Sequence, residues 1–91
     1  MPALQRAARL QQKANVPASS WEEIDAAYHR FKALAMPVER ENTAERDQFH
    51  EAIGKLLFLL VGISRTKAVN PEDALREACE RFQLKFYSAA S

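Results

Sequence analysis

The residues able to bind or react are spread thinly along this chain. Glu39, Glu41, Glu45, Asp47 and Glu51 lie close together, and carboxylates in such numbers could hold a hard divalent cation. The simpler reading is a solvated, charged turn leading into a helix. His29 and His50 could serve as ligands or bases, but neither has an acid or a cysteine at ligand spacing, so both read as surface residues. Cys79 is the single cysteine; it excludes an internal disulfide. As a nucleophile it would need a neighbouring base, and nothing local supplies one, so it reads as a small, semi-buried residue. Trp21 could stack on a base, although a tryptophan at a helix start more often packs on the core.

These residues must be positioned by helices. With only Gly54 and Gly62 as glycines, the chain is poor in the residue that tight sheet turns require. The first helix is expected from about Pro2 to Asn15, with Leu4, Ala7, Leu10 or Gln11, and Ala14 as a narrow apolar stripe. The second begins at Ser20, where Ser20-Trp21-Glu22-Glu23 has the form of a capping box. Ile24, Tyr28, Phe31, Ala35 and Val38 form its inward stripe, and Pro37 must end or kink it. The third runs from Asn42 or Thr43 to about Lys67, with Phe49, Ile53, Leu56, Leu57 and Leu60 on its apolar side. Its stretch from Leu56 to Ile63 is apolar nearly all round, which implies burial on several faces. The fourth opens with Asn70 as N-cap and Pro71 at the first helical position. Ala74, Leu75, Ala78, Phe82 and Phe86 are expected to face inward, and Ser88 to Ser91 to fray.

Composition narrows the function classes. A length of 91 residues fits one domain spanning 1–91. A chain this short buries a thin core, so a homo-oligomer through the third helix, with the second beside it, is expected to add burial. Thirteen basic against twelve acidic residues leave a net charge of +1, which argues against nucleic acid or an anionic membrane as the main partner. The apolar run from Leu56 to Val61 is far shorter than a bilayer span, and no secretory leader is visible. The expected compartment is the cytoplasm.

Several motifs together carry a resemblance. Residues 51–61, E-A-I-G-K-L-L-F-L-L-V, resemble the pattern E-E-L-G-D-L-L-F-x-L-V. Residues 70–76, N-P-E-D-A-L-R, resemble D-P-E-E-A-L-R, and residues 78–86 resemble A-N-x-K-F-x-x-R-F. Pro2-Ala3-Leu4 and Leu10-Gln11-Gln12-Lys13-Ala14 are similar to P-A-L and L-Q-x-K-A. These are patterns of the MazG-type nucleoside triphosphate pyrophosphohydrolases, specifically of their second domain, and the resemblance runs along nearly the whole chain. It implies an all-α, four-helix bundle, to which the apolar third helix adds the expectation of a dimer or higher assembly.

The resemblance also implies an activity, hydrolysis of nucleoside triphosphates to monophosphate and pyrophosphate, with magnesium held by an E-x-x-E on helix two and an E-x-x-D on helix three. Residues three apart share a helix face, so two such helices can aim four carboxylates at one point. Counting from Trp21, the first pair falls on Leu34 and Pro37; counting from Gly54, the second falls on Ala52 and Lys55. None of these is a magnesium ligand, so no cofactor is expected unless Glu39, Glu41 and Glu51 form a displaced metal site. Lys13, Trp21, Arg81 and Lys85 match positions that could touch a nucleotide. Three functions stay open, in this order: a structural, oligomerising or protein-binding module without hydrolysis; a nucleotide-binding domain; and an active enzyme with rearranged acids.

Overall fold

The structure is a computed structural model and describes residues 2–15, 17, 19–36 and 43–90. The described residues form four α-helices and no strand: α1 (Ala3–Lys13), α2 (Trp21–Ala35), α3 (Thr43–Thr66) and α4 (Pro71–Ala90). None is long and apolar enough to cross a membrane.

The helix ends follow local chemistry. Ser20 Oγ accepts the Glu23 amide at 3.1 Å and starts α2. At its other end Met36 is extended, with φ −65° and ψ 141°, as steric conflict with the following Pro37 ring requires. Asn70 Oδ1 accepts the amides of Glu72 at 2.9 Å and Asp73 at 3.4 Å, capping α4. That helix continues through Ser88 to Ala90 rather than fraying at Ser88. The end of α3 is closed by Val69 N–H to Ser64 O and Ala68 N–H to Arg65 O, the paired bonds of a Schellman motif. Its left-handed position is Ala68, at φ 55°, where glycine would sit without strain.

Packing centres on the α2–α3 pair, which buries Ile24, Ala27 and Leu59 with Leu56 and Ile63 against them. Phe31 and Phe49 meet with rings tilted by 30° at a centroid distance of 5.3 Å further along the same seam. The inward face of α2 is therefore Ile24, Ala27, Phe31 and Leu34, with Tyr28 and Ala35 exposed, one position round from the expected stripe. On α3 the inward face is Phe49, Ala52, Leu56, Leu59 and Ile63, while Leu57 and Leu60 point out. A run that is apolar all round cannot reveal its inner face by periodicity; the small Ala27 and Ala52 select it by letting the helices approach.

Across the other side of α3 lies α1, joined by a buried polar side chain. Gln11 donates from Nε2 to Phe58 O at 2.9 Å, and its Oε1 accepts from Arg65 at 3.3 Å. Gly62 makes room for this seam: a Cβ there would fall 2.7 Å from Ser19 Oγ and 3.4 Å from its amide nitrogen. Leu10, the alternative inward residue, is exposed.

The fourth helix departs most from expectation. Its first turn meets α1, where Glu72 Oε1 accepts the Leu4 amide at 3.0 Å. From Asp73 to Tyr87 every residue is exposed, including Leu75, Phe82 and Phe86, which were expected to be core. Arg76 and Arg81 pair with acids one turn away on the same helix, and Phe82 and Phe86 stack on each other at 6.4 Å. Among the described residues no neighbouring element covers this apolar face.

Three substitutions read this backbone directly. Gly54 lies inside α3, and a methyl group added there would meet nothing within 4 Å. Gly54→Ala is therefore expected to stabilise the chain by about 1 kcal/mol through helix propensity. Ala68→Gly is expected to stabilise by a similar amount, about 1 kcal/mol, by removing the left-handed penalty. Chemical denaturation measures both, and Gly62→Val, which meets Ser19, should move the midpoint the other way by about 1–3 kcal/mol.

Candidate functional site

Where α2 and α3 pass one another they leave a cavity of about 400 Å³ lined by Glu23, Ala26, Ala27, Arg30, Ala52 and Lys55. The spacing explains the lining. Positions 23, 26, 27 and 30 share one face of α2, and 52 and 55 share one face of α3. Three alanines leave the hollow, and three charged residues rim it. Its size falls at the lower end of ordinary ligand pockets, roughly 300–1,000 Å³.

The donor set is the reverse of a magnesium site. A hard cation wants several carboxylate oxygens; the cavity presents one carboxylate, Glu23, and two cations, Arg30 and Lys55. Neither cation is held in an ion pair among the described residues. These residues do not fit a divalent metal. Among the described residues no three His, Cys, Asp or Glu side chains are grouped to hold one.

The sequence-derived candidates are dispersed. Ala52 and Lys55 are in the cavity, but Leu34 is half-buried one turn beyond Arg30 and does not line it. Pro37, Glu39 and Glu41 lie outside the described residues. Glu51 is exposed on α3. Lys13 lines a separate groove on α1 with Arg6, Arg9 and Leu10. Trp21, expected in the core, is 65% exposed at the start of α2. Arg81 and Lys85 are exposed on α4, with Arg81 3.6 Å from Glu77. None of Lys13, Trp21, Arg81 and Lys85 borders the α2–α3 cavity. His29 and His50 are exposed, and so is Cys79, which was expected to be semi-buried. Arg30 escapes notice in the sequence because it belongs to no motif; only the helix register places it beside Lys55.

Comparison with known proteins gives the decisive likeness. The chain is 31% identical over 86 residues to the nucleoside triphosphate pyrophosphohydrolase/pyrophosphatase MazG of Thermotoga maritima, an alignment covering 94% of this chain. The chain belongs to the MazG-like family. It spans about a third of that relative, 33% of its length. No family model matches the chain, and no solved structure does either. The MazG-like fold thus arrives here with alanine and lysine at the α3 positions where the resemblance implies metal-binding acids.

Proposed function

We propose that this MazG-like chain is a structural, oligomerising or protein-binding module that does not hydrolyse nucleoside triphosphates by a metal-assisted route. One observation supports the interaction role above others. The chain exposes 7592 Å², whereas a compact folded chain of 10.3 kDa exposes about 5,400 Å². The excess, about 2,200 Å², is larger than the ~800 Å² each partner gives to a standard interface. It is rich in apolar side chains: Leu57, Phe58 and Leu60 on α3, and Leu75, Phe82, Leu84, Phe86 and Tyr87 on α4. The radius of gyration, 16.0 Å, likewise exceeds the ~12 Å of a compact chain this long. A second copy is the simplest cover, because each chain then supplies the face the other lacks.

Loss of hydrolysis follows from the cavity's charges. Transfer or hydrolysis of a phosphoryl group depends on metals that neutralise its oxygens and activate water. Lys55 can lend charge to a phosphate, but it cannot generate a metal-bound hydroxide. Incubation with a panel of nucleoside triphosphates and magnesium is expected to release no pyrophosphate above background. Release that a chelator abolishes would overturn this reading, and Glu39, Glu41 and Glu51 would then be the first ligands to replace. Light scattering is expected to give a mass above 10.3 kDa; a monomer at high micromolar concentration would remove the self-association.

A further inference from the structure

We propose that α4 pairs antiparallel with α4 of a second copy, through the stripe Leu75, Cys79, Phe82 and Phe86. This rests on the self-association proposed above and deepens it by naming a surface and its orientation. The four residues recur at spacings of four, three and four, the a/d repeat that joins two helices along one seam. At 3.6 residues per turn they fall within roughly 60° of one another round the helix. All are exposed in the single chain: Leu75 by 52%, Phe82 by 71% and Phe86 by 60%, with Cys79 between them.

Size and charge both select the antiparallel orientation. In a parallel pair each layer joins like to like, so Phe82 and Phe86 each crowd a second phenylalanine while Cys79 meets another small side chain. Turned about a two-fold axis between Cys79 and Phe82, the layers become Leu75 on the partner's Phe86 and Cys79 on the partner's Phe82. Every layer then sets a larger side chain against a smaller one, which fills the seam evenly. The charges agree. Residues 71–80 carry four acids and one base, and residues 81–90 carry two bases and no acid. Antiparallel helices lay the acidic half along the basic half, whereas parallel ones lay acid along acid. Opposed helix dipoles add to the same preference. Such a two-fold contact closes at two copies. It uses none of the outer residues of α3, so Leu60→Glu reads that face and Phe82→Glu reads this one.

The test combines light scattering across a dilution series with cysteine chemistry on the full chain. Phe82→Glu should weaken association about a hundred-fold or more. Leu84→Glu, on the opposite side of α4, should leave it unchanged. Phe82 and Leu84 are 71% and 69% exposed, so both variants should fold, which circular dichroism checks. In the associated chain a maleimide should alkylate Cys79 about ten-fold more slowly than in Phe82→Glu, because thiol reactivity needs access. Orientation is read by mixing Leu75→Cys chains with Phe86→Cys chains, both carrying Cys79→Ser, and adding a short bismaleimide. The antiparallel pair brings the two different cysteines into one layer and keeps like cysteines about 16 Å apart along the axis, so mixed products should dominate. A monomer at high micromolar concentration removes the self-association and this seam with it. An associated chain that Phe82→Glu leaves intact, or whose Cys79 reacts as fast as in that variant, overturns this seam while the self-association stands. Equal loss of association in Leu84→Glu overturns the stripe, and a majority of self-linked products overturns the antiparallel pair.

Discussion

Leu59→Glu is expected to unfold the chain, while Leu60→Glu is expected to leave it folded and to split the proposed assembly. The two residues are neighbours in a run of apolar side chains, but Leu59 is 8% exposed and Leu60 42%. Leu59 sits among Ile24, Ala27, Leu56 and Ile63, so glutamate there loses that packing and buries an unpaired carboxylate. The combined cost, about 4 kcal/mol or more, rivals the whole stability of a domain this small, which lies near the low end of about 5–15 kcal/mol. Leu60→Glu places its charge in water within a single chain and should cost less than about 1 kcal/mol. In an assembly built on the outer face of α3 the same charge is trapped between apolar surfaces. Thermal melts separate the two effects from one side, and light scattering from the other. A Leu59→Glu chain that melts normally would show that the α2–α3 seam is not the core; a Leu60→Glu chain of unchanged mass would exclude that face of α3 from the interface.

The second large effect is a gain of metal binding at the cavity. Ala26→Glu, Arg30→Glu and Lys55→Asp combined would join the native Glu23 and set four carboxylates around one hollow. All three substituted residues are exposed, so the fold should tolerate the change. Manganese or magnesium binding is expected to strengthen sharply over that of the parent, because hard cations bind such an oxygen set. The rival variant is Leu34→Glu, Pro37→Glu, Ala52→Glu and Lys55→Asp, which follows the count along the sequence. In the observed register Leu34 does not reach the cavity, so this variant is expected to bind metal much more weakly. The opposite ranking in a manganese titration would mean that the two helices are offset along one another from the register described.

Much of the architecture is legible in the sequence alone. Ser20, Asn70 and Pro71 announce helix starts, and Pro37 announces an end, because capping and proline sterics act within a few residues. The inward faces are harder to read. Tyr28 and Ala27 compete for the same side of α2, and a stripe drawn by hydrophobicity chooses the larger residue. Close approach of α3 chooses the smaller one. Gln11 is legible only as an alternative to Leu10 on the inward stripe of α1: what settles the choice is its partners, Phe58 O and the Arg65 side chain, which are remote in sequence. Of the candidate site, Ala52 and Lys55 are legible because Gly54 anchors an ungapped motif around them. Arg30 is not, since nothing short of the helix register links it to Lys55. The exposure of Phe82 and Phe86 is also unreadable, because an apolar stripe looks the same whether its cover comes from the same chain or another.

The hydrogen bond from the Leu4 amide to Glu72 joins residues 68 apart in the chain, and this separation sets an order of events in time. Closing so long a loop costs about 1 kcal/mol more entropy than bringing Phe31 to Phe49, which are only 18 residues apart. The α2–α3 hairpin should therefore form first, and the clasp between α1 and α4 last. On the way back the clasp is the first to open. Its release frees α4 without touching the buried surface around Val61, which is 1% exposed. Amide hydrogens along α4 should then exchange with solvent through this partial opening, well ahead of those at Val61 and Gly62, which wait for the whole molecule to come apart.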